Sequence, residues 1–393
     1  MNSGYLLQQQ SFFFKTPLYK VATVSKLFSP INLGTQQLDN RIVVAPMCQY
    51  SAEQGNATNW HLVHLGTMAI SGAGTVIIEA TAVEPIGRIT HGCLGLWSDE
   101  NEAALKRSVS AMRQVSSSKI IIQLAHAGRK ASSARPWEGG QQLAIDKDGW
   151  EAVAPSSIAH GADELAPTAL DPAGLERVKQ AFVASAKRAV RLGLDGIELH
   201  AAHGYLFHQF LSPIANQRQD QYGGSLENRM RFPLEVFDAV KAAIPASVLL
   251  GVRISATDWV EGGWDLDQSV TLTHALKSRG CDFIDVSSGG VSTAQKISMG
   301  PGYQVPLAQA IKAATGIPTM AVGLITDPEQ AEEILVKDQA DMIALARGML
   351  YDPRWGWHAA AALGDTVQAP PQYWRSQPRG LEQLFKNTKV GTR

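Results

Sequence analysis

The chain has 393 residues, 45% hydrophobic and 18% charged, with 35 basic against 36 acidic side chains and a formal net charge of -1. That composition belongs to a globular protein with a large core, and it offers no extended basic surface for nucleic acid. No apolar run reaches the roughly 18 residues of a membrane span, and three scattered cysteines (Cys48, Cys93, Cys281) form neither a zinc pattern nor a disulfide framework.

Sparse, unpaired cysteines fit a reducing compartment, so a cytoplasmic protein is expected. Residues 1–25 carry a Gln run and Phe12–Phe14, but no continuous apolar core with a small-residue cleavage site. They read as a mobile extension, or as an arm on a partner subunit, rather than as a signal peptide. A catalytic domain is expected over residues 26–365, followed by a tail over 366–393.

Arg41 to Met47 is a nearly continuous apolar run, the signature of a strand buried on both faces, and it ends at Cys48-Gln-Tyr50. A helix is predicted over 59–71, a strand over 74–81, a helix over 101–115, and a strand over 119–125 that ends at His126-Ala-Gly-Arg129. From Lys130 to Pro172, serines, glycines and prolines break the rhythm, which predicts a long loop of the kind that often carries function. A helix over 175–192 leads to a strand over 196–200, then a second long loop from Gly204 to Arg229. Helices over 232–243, 267–278, 306–315 and 328–337 alternate with strands over 248–255, 282–287, 318–323 and 341–347.

Eight doubly buried strands alternating with helices predict an α/β protein built on a single (β/α)8 TIM barrel, with long βα loops and a C-terminal tail. An open doubly wound sheet is the competitor. It is disfavoured because no GxGxxG follows the first strand.

Catalytic groups gather at the C-terminal ends of barrel strands. His200, His203 and Tyr205 leave the fourth strand there, and two imidazoles with a phenol suit holding a polar oxygen and delivering a proton. A structural polar cluster and a metal-binding histidine pair are the alternatives. A catalytic metal needs three or more ligands, and no carboxylate cluster accompanies the pair in sequence, so no metal is expected. Schiff-base chemistry would need a lysine inside a strand, and no strand interior has one.

Gln123 and Arg253 interrupt apolar strands and must find partners once buried. For Arg253 these are a core salt bridge to Glu79 or Glu198, or a bound cofactor. Gly323 ends the seventh strand and Ala346-Arg347-Gly348 the eighth. Barrels bind phosphate between those two loops, and Arg347 offers it a bidentate charge.

The motifs Ala45-Pro-Met-Cys48-Gln-Tyr50, Gln123-Leu-Ala-His-Ala-Gly-Arg129, His200-Ala-Ala-His203-Gly-Tyr205 and Arg253-Ile-Ser-Ala-Thr-Asp-Trp259, in this order, resemble those of the Old Yellow Enzymes. These are FMN-dependent ene-reductases on a (β/α)8 barrel. The likeness runs from about Lys26 to Arg375, and Cys48, where another branch of the family has threonine, points to the thermophilic-like class. The resemblance implies that Ala45, Pro46, Met47, Ala80, Gln123 and Arg253 hold the isoalloxazine, with Cys48 close to it and tuning its potential. Arg253 would stabilise the reduced flavin, and Gly323, Ala346 and Arg347 would bind the FMN phosphate. His200 and His203 would bind the oxygen of a small-molecule substrate, Tyr205 would protonate its α-carbon, and Tyr50 would help clamp it.

NADPH, with NADH as a possible substitute, would use the same pocket in turn, so no Rossmann unit is needed. The tail around Trp374 and Arg375 matches a segment that reaches into a neighbouring active site, which implies a homodimer or homotetramer. A flavin-binding redox sensor using Cys48 is the competing function, weakened by the complete His/His/Tyr set. A dienoyl-CoA reductase, which adds an iron–sulfur cluster, is opposed by the scattered cysteines.

Overall fold

Eight short parallel strands close on one another in a ring, and the sequence shows why they must. They are β1 (Ile42–Val44), β2 (Thr75–Ala82), β3 (Lys119–Ala125), β4 (Gly196–Ala201), β5 (Leu249–Ser255), β6 (Ile284–Ser287), β7 (Thr319–Ala321) and β8 (Met342–Leu345). Almost every residue in them is buried, as a strand covered on both faces requires. The last strand pairs with the first through Ile343 and Ile42, so the sheet has no free edge and is a (β/α)8 barrel. The computed structural model describes residues 25–389 and Gly391; the predicted extension, including Phe12–Phe14, lies outside the described residues except for Ser25, which is buried and bonded to Asp365 and Glu332.

Alternate residues point inward. Val43, Ile77, Ile121, Leu249, Phe283, Met320 and Met342 form one apolar layer inside the barrel. Gly251 makes room for it: a Cβ there would come within 2.2 Å of the Phe283 ring. A hairpin of Ile31–Leu33 and Gln36–Leu38 adds Leu33 and Leu38 to that layer and closes the N-terminal mouth.

The helices are α1 (Asn59–Ala69), α2 (Asp99–Val115), α3 (Pro172–Arg191), α4 (Leu206–Leu211), α5 (Leu226–Ala243), α6 (Leu266–Ser278), α7 (Val305–Thr315), α8 (Pro328–Val336), α9 (Arg347–Tyr351) and α10 (Trp355–Leu363). Three begin earlier than apolar periodicity predicts, because a cap rather than the first apolar residue sets the start. Ser98, Asp171 and Ser225 each accept a hydrogen bond from the third residue beyond them. Pro172 occupies the first position of α3, where a missing N–H costs nothing. The first strand is shorter than expected: its ladder ends at Val44, and Pro46 has no N–H to extend it. Among the described residues no helix is long and apolar enough to cross a membrane.

The predicted excursion after β3 holds short 3-10 turns, including Gly128–Lys130 and Pro136–Glu138, and a small pairing of Val153–Ala154 with Thr168–Ala169. The tail runs the other way. Gln368 to Pro371 line a cavity of ≈ 380 Å³ with Asn40, Gly72 and Ser118, which lie just before β1, β2 and β3. That is the N-terminal face, opposite the strand ends that carry His200 and Tyr205.

Candidate active site

β4 carries His200 into the barrel mouth, and the chain then turns sharply. His203 has φ +58° and Gly204 +75°, a left-handed pair that only outside support makes affordable for a histidine. The support comes from the ends of three other strands. His203 N–H donates to Ser255 Oγ at the end of β5 (2.9 Å), and that hydroxyl donates to Gly289 O after β6 (2.8 Å). Lys130 Nζ, beyond β3, donates to both His203 O (2.9 Å) and Gly290 O (3.0 Å). Gly204 and Gly290 approach so closely that a Cβ on Gly204 would meet Gly290 O at 2.1 Å. Behind them His208 Nδ1 accepts Gly204 N–H (2.8 Å), and its Nε2 donates to buried Asp258 (2.7 Å), which also accepts Ser212 Oγ and Trp264 N–H. Burial would raise the Asp258 carboxyl, but these donors hold it below the usual range.

The rings of His200 and His203 meet edge to face at 5.1 Å, and those of His200 and Tyr205 at 5.0 Å. His200 Nδ1 accepts Ala202 N–H (3.3 Å), which leaves its proton on Nε2, the atom 3.4 Å from His203 Nδ1. Burial, reinforced by the Arg253 charge, holds both imidazoles well below their ordinary 6.5, so both are neutral donors. Burial also pushes the Tyr205 phenol well above 10, with Cys48 and Tyr50 adding to the effect. The Lys130 ammonium lies 5.2 Å over the Tyr205 ring, and burial with the Arg129 charge lowers it to about 8.

Deeper in the mouth lies a polar layer. Gln123 Nε2 donates to Glu198 Oε1 at 2.7 Å. Arg253 donates to Ser287 Oγ (3.1 and 2.9 Å), and its Nε is 3.1 Å from Asp285 Oδ2. The alternative of an Arg253 bridge to Glu79 or Glu198 is therefore not formed. Asp285 stands directly across from Arg253 in the β5–β6 register and takes that place. Glu79 instead accepts Gln49 N–H (2.9 Å) and lies 3.3 Å from His61 of α1. Carboxylates do lie beneath the histidine pair: Glu198, two residues before His200, and Asp285 from β6. Among the described residues, no group of three or more His, Cys, Asp or Glu is placed to hold a metal.

Around the rim, Ala45 and Ala80 are buried, and Pro46, Met47 and Cys48 are half-buried where β1 ends. Burial raises the Cys48 thiol well above 9, and the Cys93 and Glu79 charges act the same way. Tyr50 has φ +50° and sets its ring against Trp137 at 6.0 Å. At the neighbouring ends of β7 and β8, Gly323 has φ +116° with Gln304 packed where a Cβ would stand (2.8 Å), Ala346 precedes α9, and Arg347 is exposed.

The fold thus brings His200, His203 and Tyr205 to one mouth with Gln123 and Arg253, and puts Gly323, Ala346 and Arg347 on adjoining strand ends. Trp374 and Arg375 are not there: they belong to the turn Pro371–Ser376, which follows the segment at the opposite face. Trp374 packs on its own subunit's core and donates to Ala369 O (3.0 Å), whereas Arg375 is exposed and donates to Gly391 O (3.1 Å). Sequence reasoning missed Lys130, Ser255, Ser287 and Asp285. Lys130 follows Arg129 directly at a strand end, and that placement was its only signal.

Comparison with known proteins finds relatives over nearly the whole chain. The sequence model of the NADH:flavin oxidoreductase / NADH oxidase family matches residues 26–365. An NADPH dehydrogenase of Geobacillus sp. is 45% identical over 351 residues, 89% of this chain and 98% of its own. An NADPH dehydrogenase of Listeria innocua is 44% identical over 355 residues, 90% of this chain and 99% of its own. Among solved structures, morphinone reductase superposes with a TM-score of 0.71 at 27% identity, covering 94% of this chain and 96% of its own.

Proposed function

The chain belongs to the NADH:flavin oxidoreductase / NADH oxidase family, that of the Old Yellow Enzymes, and is an oxidoreductase of the NADPH dehydrogenase type; from that premise we propose that it is an FMN-dependent ene-reductase. Its substrates are α,β-unsaturated carbonyl or nitro compounds, and its donor is NADPH, with NADH as a possible substitute. The observation that carries the reading is the meeting of two imidazoles and a phenol at one strand end, with the His200 ring 5.1 Å from His203 and 5.0 Å from Tyr205.

The residues present fit the cofactor. Gln123 and Arg253 are buried polar groups facing the barrel mouth, suited to the carbonyl-rich pyrimidine edge of an isoalloxazine. Ala45, Pro46, Met47, Cys48 and Ala80 supply a largely apolar wall, and Gly323, Ala346 and Arg347 supply backbone N–H groups and a cation for phosphate. When bound, FMN supplies a carrier that accepts a hydride from the nicotinamide and passes it to the β-carbon of the alkene.

The chain's own side chains do the rest. His200 and His203 donate to the substrate oxygen, where negative charge develops, and so bind the transition state more tightly than the ground state. Tyr205 donates its phenolic proton to the α-carbon, and Tyr50 closes one side of the pocket. Cys48 supports assignment to the thermophilic-like class. Its raised thiol also argues against a thiolate redox sensor, which needs a lowered one. We further propose a homodimer or homotetramer. Since Trp374 is seated on its own subunit, Arg375 is the residue that completes the neighbouring pocket.

An anaerobic titration tests this reading. The yellow protein should bleach with NADPH and regain colour with 2-cyclohexenone. Bleaching without recovery would remove the enone substrate class, and a colourless protein that FMN cannot reconstitute would overturn the proposal.

A further inference from the structure

Inside the barrel, below the paired histidines, two acids share one base. Glu198 on β4 and Asp285 on β6 are fully buried, and Arg253 on β5 is the cation between them. Glu198 has few partners: its Oε1 accepts from Gln123 on β3, and its Oε2 is buried with no hydrogen bond. His200 lies above it on the same strand, and the layer beneath is apolar, with Phe283, Ile121 and Leu249. If both acids were ionised, the layer would hold an uncompensated negative charge in a buried interior, a cost that a proton removes. Both Asp285 oxygens lack a hydrogen bond as well, but Asp285 has the Arg253 cation at 3.1 Å, whereas Glu198 has only an amide. The proton therefore belongs on Glu198.

We propose that Glu198 is a positioning residue held as the neutral acid, and that its proton keeps the positive charge of Arg253 available to the bound flavin. This rests on the reading that FMN lies against Gln123 and Arg253. A neutral Glu198 accepts from Gln123 as a carbonyl and leaves Arg253 balanced by Asp285 alone. Burial and the neighbouring Asp285 charge raise the Glu198 carboxyl to about 8, against the smaller opposing pull of Arg253 and Gln123. Below that pH the acid is neutral. Above it a second negative charge joins the layer, opposes electron uptake by the flavin, and weakens the bound reduced cofactor on the order of tenfold.

The test compares the FMN-loaded protein with its Glu198→Gln variant, in which the side chain is neutral at every pH. The midpoint potentials of the bound flavin should coincide at pH 7 and separate above pH 8, with the natural protein becoming the more negative. A gap that stays constant from pH 6 to 9.5, or one already open at pH 7, would overturn the proposal. The second measurement needs no variant. Infrared spectroscopy of protein with ¹³C-labelled glutamate should show a protonated-acid C=O stretch at pH 7 that is lost by pH 9.5; its absence at pH 7 would also overturn the proposal. A protein that takes up no FMN yet shows the acid band would refute the flavin reading and leave the proton on Glu198 standing.

Discussion

Neutral imidazoles at His200 and His203 follow from burial beside the fixed charge of Arg253, and they link function to pH and stability. Their folded values lie well below 6.5, while in the unfolded chain they return to it, so below 6.5 the unfolded state binds more protons. Stability is full above pH 6.5 and is lost as pH falls toward the lowered folded values. Urea melts should show a drop between pH 7.5 and pH 5 that a His200→Asn, His203→Asn double variant reduces; an equal drop in both would exclude this cause. Lys130 acts by a different route, clipping the His203 carbonyl to Gly290. Lys130→Met leaves two partly buried acceptors unpaired and should cost about 1–3 kcal/mol in a denaturant melt. It should also slow enone reduction, and a variant of unchanged stability and rate would refute the clip. The histidines, Tyr205, Gln123 and Arg253 were visible in the sequence because polar residues stand out at the ends of apolar runs. Asp285 and Ser287 were not, because their meaning comes from register with Arg253 across a strand pair.

Among elements, the loops after β4 and β6 form a tight joint of the site. A Cβ on Gly204 would strike Gly290 O, and its φ of +75° already disfavours a side chain. Gly204→Ala should cost about 1–3 kcal/mol and displace His203 and Tyr205 together. The check is reduced FMN-dependent turnover accompanied by a lower melting temperature; unchanged turnover would show that the joint does not set the site. Strands were the most legible elements, since double burial writes itself as unbroken apolar runs. Helix starts were less so, because the caps Ser98, Asp171 and Ser225 precede the periodic residues and look like loop. Asp171→Ala removes one such cap and should lower stability by about 1 kcal/mol without altering turnover. The short α4 was missed altogether, since six buried residues give no polar face to read.

At the level of the molecule, the closed barrel puts chemistry at one end and the tail at the other. A tail on the N-terminal face cannot reach its own active site, so any catalytic part for Arg375 requires a second copy. Arg375→Ala should leave oligomer mass unchanged by light scattering while weakening substrate binding. A fully active monomer would remove that role.

The most direct test of the account is rapid mixing with the Tyr205→Phe variant, following flavin absorbance separately in each half-reaction. Bleaching by NADPH should proceed at nearly the natural rate, while recovery of colour with 2-cyclohexenone should slow by about 100-fold or more, as loss of a general acid requires. Equal slowing of both steps, or of neither, would contradict the assignment of Tyr205 as the proton donor.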